Sequence, residues 1–212
     1  PIRNLCVIYA ITKKFKELLN YSTKLYYLDS KNPLNIFQIG SANELNKNYD
    51  EAIKYYEKYI NTDGSDKKRG FNNIGNIYLR KGKPKTSVKY FSKALELDNN
   101  NKILINNILL CYLSLRDENK AEEYFKRAEI IDSDYTEFLH NKAEFLILKN
   151  QLQEAEKILE KNKSITKFLI TLIRLYFNSG QSKKGKELLN QSREILKNNS
   201  DFYNYLGIRY LY

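Results

Sequence analysis

Apolar residues recur along this chain at helical spacing, and the helices they predict come in pairs. Over residues 68–101, Phe71, Ile74, Gly75 and Tyr78 form one face at i, i+3, i+4 and i+7, and Ser87, Phe91 and Ala94 form a second. That period belongs to an amphipathic helix, and no stretch of the chain alternates with the period of two that a strand needs. With Lys68 counted as position 1, the marked residues stand at 4, 7, 8 and 11, then at 20, 24 and 27. Gly82 falls between the two faces, so the pattern predicts a helix over 68–81, a tight turn, and a helix over 84–97.

The same pattern returns along nearly the whole sequence. From Pro33 it gives Ile36, Ile39 and Gly40, then Ala52 and Tyr56. From Lys102 it gives Ile105, Ile108 and Tyr112, then Ala121, Phe125 and Ala128. From Thr136 it gives Leu139, Ala143 and Leu146, then Ala155 and Leu159. From Thr166 it gives Leu169, Leu172 and Tyr176, then Gly185, Leu189 and Ser192. Partial copies stand at both ends: Ile2, Leu5, Cys6 and Tyr9, and Tyr203, Leu206, Gly207 and Tyr210. Repeats therefore start near residues 1, 33, 68, 102, 136, 166 and 200, five of them whole, with spacings of 35, 34, 34 and 30. The short spacing predicts a shortened second helix around Gln151 to Lys161. The first helices are expected over 2–12, 33–46, 68–81, 102–115, 135–149, 165–178 and 200–211. The second helices are expected over 15–29, 49–61, 84–97, 118–131, 152–161 and 182–197.

These residues at these positions resemble the tetratricopeptide repeat (TPR) family, a 34-residue helix–turn–helix. The resemblance covers almost the entire chain, although Lys142, Asn43, Leu109 and Ile173 depart from the family pattern at positions 7, 11 and 8. It implies an all-α fold, an α-solenoid of stacked helix–turn–helix units wound into a right-handed superhelix. It also implies one domain over 1–212 in which Tyr78, Tyr112 and Tyr176 are wedged between hairpins. The apolar final segment, with Tyr205, Leu206, Tyr210, Leu211 and Tyr212, does not read as a polar cap, so either residues 1–212 are expected to be part of a longer protein or the final helix is expected to pack on something else.

Candidate chemistry is sparse. The chain has one histidine, His140, and two cysteines, Cys6 and Cys111, too few for a zinc site, and glycine-rich phosphate loops are absent. No enzyme activity, cofactor or metal is expected. The cysteines sit on first helices far apart in the stack, so they are expected to be unpaired core residues. Unpaired thiols favour a reducing compartment, and the expected location is cytoplasmic.

The formal charge of +11 raises the question of nucleic acid. Lys13, Lys14 and Lys16, then Arg80, Lys81, Lys83 and Lys85, then Lys183, Lys184 and Lys186 all fall at turns between paired helices and would form a basic rim. Arginine, the residue with the bidentate fork, is scarce: 8 against 28 lysines. Nucleic acid or an anionic surface is thus the alternative partner, and a regulatory arm of a larger enzyme is another.

In the family, function lies in a concave groove lined by positions 2, 5, 6, 9, 12 and 13 of the first helices, where a partner peptide or helix binds. The resemblance therefore implies a non-enzymatic interaction scaffold, or adaptor. Position 6 carries Asn73, Asn107 and Asn141, which resemble an asparagine row that grips a peptide main chain, since an amide offers a donor and an acceptor together. Asn72, Asn76 and Asn106 add to it. Ile103, Leu110 and Ile170 are candidate apolar anchors, and His140, Glu144 and Arg174 complete the candidate lining. The carboxylate clamp of some family members is excluded, because its cations are replaced and Glu137 stands where one would be.

Overall fold

A computed structural model of the chain describes residues 2–196. Its secondary structure is helical throughout the described residues: α1 (Ile2–Ile11), α2 (Phe15–Leu28), α3 (Pro33–Leu45), α4 (Tyr49–Ile60), α5 (Lys67–Arg80), α6 (Pro84–Glu96), α7 (Lys102–Leu115), α8 (Glu118–Ile131), α9 (Thr136–Leu148), α10 (Leu152–Lys161), α11 (Thr166–Asn178), α12 (Ser182–Gln191) and α13 (Arg193–Leu196). The fold class is all-α, stacked helical hairpins of the α-solenoid kind. The chain divides into two compact units, Pro1–Leu115 and Arg116–Tyr212.

Local chemistry sets the helix ends. Asn32 Oδ1 accepts the Leu34 N–H at 3.0 Å and Pro33 opens α3, while Asp66 Oδ1 accepts the Arg69 N–H at 3.1 Å to open α5. The turn inside each hairpin is built on one backbone device. Register position 15 is left-handed in every case: Lys13 (φ 56°), Lys47 (63°), Gly82 (67°), Arg116 (54°), Asn150 (59°) and Gly180 (79°). At Gly82 the amide bonds the Leu79 carbonyl at 3.0 Å, and the next amide, Lys83, reaches back to Tyr78 at 2.9 Å. Lys47 and Asn48 make the same pair of bonds to Glu44 and Asn43, both at 2.9 Å. These bonds cap the carbonyls that the end of a helix leaves free.

The hairpins close because small residues meet rings. Gly75 faces Phe91 so closely that a Cβ at this position would lie 2.6 Å from the ring. Ser87 locks the same crossing by donating from Oγ to the Gly75 carbonyl at 2.6 Å. In the first unit, Ile36, Phe37, Tyr56, Tyr59, Ile74 and Ile77 form one core that spans neighbouring hairpins, with Tyr78 against it and stacked on Tyr90 at 5.4 Å. In the second unit, Leu146, Leu159, Phe168, Leu172 and Tyr176 do the same. Tyr176 is buried and Tyr78 and Tyr112 are half-buried, so none of the three points into water.

The shortened α10 has 10 residues, as the 30-residue spacing predicted. The second helix expected over 182–197 is interrupted instead. At Ser192 the amide is shared between the Leu188 and Leu189 carbonyls, at 3.1 and 3.2 Å, and the four-residue α13 follows. The expected helix over 200–211 lies outside the described residues. Cys6 and Cys111 are free and buried, as expected of core residues.

Candidate functional site

On the first helices, side chains at positions 5, 6 and 9 share a face, because residues three and four apart are neighbours on a helix. In the first unit this face is lined with amides. Asn72, Asn73 and Asn76 on α5, and Asn107 and Leu110 on α7, are half-buried, and Ile103 is 48% exposed. Asn107 Nδ2 donates to Asn72 Oδ1 at 3.3 Å, which joins α5 to α7. Asn73 hydrogen-bonds the Tyr56 hydroxyl, which also donates to Glu44 Oε2 at 2.8 Å. The other oxygen of Glu44 takes the Arg80 guanidinium at 2.8 Å. Burial, with Glu44 beside it, holds the Tyr56 hydroxyl far above the usual phenol range. Asn106 differs from its expected place. It is 3% exposed and its Nδ2 donates to the Lys102 carbonyl of its own helix at 2.9 Å, so it belongs to the interior.

In the second unit the same register carries charge. His140, Asn141 and Glu144 lie on α9, with Ile170 and Arg174 on α11. His140 Nε2 is 3.0 Å from Thr171 Oγ1, and Thr171 Oγ1 donates to Glu144 Oε1 at 3.3 Å. The Arg174 guanidinium donates to that same oxygen. His140, Glu144 and Arg174 are thus joined through Thr171 and one carboxylate oxygen. Burial depresses the His140 pKa; Glu144 opposes that shift, while Lys167 and Arg174 add to it. Beside this network Glu137 is exposed and pairs with Lys167 at 3.3 Å, and the imidazole is edge-on to Phe168 at 5.2 Å. Asn141, the third member of the expected amide row, is 5% exposed and sits in the interior.

Two other features bear on the alternatives. Arg80, Lys81 and Lys184 of the expected basic rim pair with Glu44, Asp50 and Glu156 at 2.8, 2.5 and 3.4 Å, which removes much of their attraction for phosphate. A cleft of about 410 Å³ in the second unit has the Tyr176 hydroxyl 2.9 Å from both Glu156 and Glu160. Lys163 and Lys184 neutralise those carboxylates, so its polar groups already satisfy one another. Among the described residues no cluster of three or more His, Cys, Asp or Glu is disposed to hold a metal, and no helix is long and apolar enough to cross a membrane.

Comparison with known proteins agrees with the geometry. Models of the tetratricopeptide repeat match residues 35–66, 69–101 and 104–135, three consecutive hairpins. The chain is a tetratricopeptide repeat protein. It is 28% identical over 192 residues to the RNA polymerase-associated protein CTR9 of Saccharomyces cerevisiae, an alignment covering 83% of this chain and 18% of that one. This TPR chain thus spans less than a fifth of the length of the curated relatives it matches. Among solved structures, the APC/C hetero-tetramer Cut9–Hcn1 superposes with a TM-score of 0.77 at 13% identity, covering 94% of this chain and 40% of that one. YrrB, described as a TPR protein with an unusual peptide-binding site, superposes with a TM-score of 0.59 at 18% identity, covering 85% and 91%. At such identities the superpositions speak for the fold alone. TPR proteins generally serve as protein–protein interaction scaffolds.

The Thr171 bridge and the Tyr56–Glu44–Arg80 chain were not among the predicted site residues. Their signal was present, since Thr171 stands at position 6 and Glu44 and Arg80 at positions 12 and 13, all lining positions of the register.

Proposed function

We propose that this TPR protein is a non-enzymatic scaffold whose first unit takes an extended segment of a protein partner on the inner face of α5 and α7. Asn72, Asn73, Asn76 and Asn107 meet the segment's main chain, and Ile103 and Leu110 take its apolar side chains. The supporting observation is the Asn107–Asn72 contact. These are half-buried amides, linked by one bond and with further donor and acceptor capacity, beside an isoleucine left 48% exposed. An amide pairs with a peptide unit whatever the side chain, so the row gives affinity without demanding a sequence. Each such bond contributes only about 1 kcal/mol net, so the amides need the apolar anchors to reach useful affinity. Burying apolar surface adds about 25 cal/mol per Å², which gives Ile103 and Leu110 the larger share. In the second unit, His140, Glu144, Ile170 and Arg174 form a separate lining whose charges are already paired.

The test is a peptide library panned on the chain, with affinities of the selected peptides measured by calorimetry. Replacing Asn72 and Asn107 together with alanine is expected to weaken them at least about tenfold, or about 1.4 kcal/mol, with the helical circular dichroism unchanged. Equal affinity for the variant would remove the amide row from the reading.

A further inference from the structure

One register position sets α1 apart from every later first helix. Position 10 faces the preceding hairpin, and Ala42, Ile77, Cys111, Phe145 and Leu175 occupy it on α3, α5, α7, α9 and α11. All five are buried, none more than 6% exposed. The cover comes each time from the second helix just before. Ala42 shares a core with Leu18 and Leu25 of α2, and Ile77 with Ile53 and Tyr56 of α4. Cys111 is hydrogen-bonded to Ser87 of α6. Phe145 stacks on Phe125 of α8 at 4.8 Å, and Leu175 shares a core with Ala155 and Leu159 of α10. On α1 the corresponding residue is Ile8, which is 52% exposed, with Val7 and Ile11 beside it at 56% and 74%.

We propose that the face of α1 centred on Ile8 is a stacking surface for a further helical hairpin of this repeat type, carried by the same polypeptide. It would dock through a second helix with a small residue and, four places on, a large apolar or aromatic one, as Ala52 and Tyr56 stand on α4 against Ile77. The surface continues the α2–α3, α4–α5 and α6–α7 interfaces, which fixes the chemistry of what covers it. Among the first helices of the described residues, α1 alone leaves this position uncovered. The functional consequence concerns Arg3, Asn4 and Val7, at lining positions 5, 6 and 9. With a hairpin stacked on α1 they lie within the lining instead of at its edge, and Asn4 adds an exposed amide at the register position of Asn73 and Asn107.

The test fuses a copy of residues 33–69 ahead of residue 1, which keeps the register because the copied Lys68 and Arg69 fill positions 1 and 2. The fusion is expected to melt at least about 4 °C above the 212-residue chain. Ile8→Lys is expected to move the melting temperature of that chain by less than about 2 °C and that of the fusion by more than about 8 °C. An unchanged melting temperature in the fusion, or a substitution equally silent in both, would overturn the proposal. Sedimentation of the 212-residue chain from micromolar to near-millimolar concentration is the second arm. A monomer throughout agrees with the proposal, whereas a dimer abolished by Ile8→Lys would assign the face to a second copy and overturn it.

Discussion

The inner faces of the two units are built on one register and differ in chemistry. In the first unit, positions 5, 6 and 9 of α5 are three neutral amides with hydrogen-bonding capacity to spare. In the second, position 9 of α9 and α11 is Glu144 and Arg174, paired with each other, with Thr171 and His140 joined to the same carboxylate. The difference separates two roles that a polar side chain can take on a repeat scaffold. Groups satisfied inside the protein hold neighbouring helices together. Groups only partly satisfied keep capacity that, on the proposed function, a partner takes up, so their removal should cost binding more than stability.

Substitutions can break or sharpen that contrast. The largest effect is expected from Gly75→Val in the first unit, because the new Cβ would press on Phe91 from 2.6 Å. Overpacking of this kind costs about 3 kcal/mol, read by chemical denaturation. Ala143, Ile173 and, within the first unit, Leu109 fill this register position in other hairpins, so the approach at Gly75 is local to the α5–α6 crossing. Next, Arg174→Ala leaves the half-buried Glu144 without its cation and is expected to cost about 1.5 kcal/mol, whereas Asn107→Ala should cost less than about 0.5 kcal/mol. Equal costs for the two would erase the distinction between a structural and a ligand-facing inner surface.

Near neutral pH the response centres on the second unit, where the chain's one histidine lies. His140 has a folded pKa below its unfolded value, so over the interval between them the unfolded chain binds more protons. Its contribution is therefore fully present above the unfolded pKa, about 6.5, and is lost as pH falls toward the folded one. Melting temperatures at pH 7.5 and 5 should differ more for the parent than for His140→Gln, and a lone imidazole resonance titrating at its ordinary pKa would contradict this. The smallest effects lie in the turns. Lys47→Gly relieves a left-handed lysine at φ 63° and should stabilise by about 0.5–1 kcal/mol; Asn150→Gly at φ 59° should gain only a few tenths, because asparagine tolerates that conformation.

The fold was legible because its determinants are periodic. Asn32-Pro33, Gly82 and the small residues facing Phe91 and Tyr56 each state a local rule, and the 30-residue spacing alone foretold the short α10. The lining was less legible. Asn106 and Asn107 are adjacent in sequence, and a rotation of about 100° puts one in the interior and the other on the surface. Position 6 is also not equally deep everywhere: Asn107 is half-buried, while Asn141 and Thr171 are 5% and 4% exposed. Around the latter two, the side chains at positions 5 and 9 are the longer His140, Glu144 and Arg174, which overhang them. The boundary at residues 115 and 116 had no signal either, because the period of 34 runs through it unchanged.

Both thiols of the chain lie in the first unit, one on α1 and the other on α7. Burial pushes the Cys111 thiol up to about 11 and raises that of Cys6, so neither supplies much thiolate while the helices hold together. Alkylation at neutral pH must then wait for local opening, and the two modification rates become independent clocks for fraying at opposite ends of one helical stack. No probe has to be engineered to watch that unit breathe.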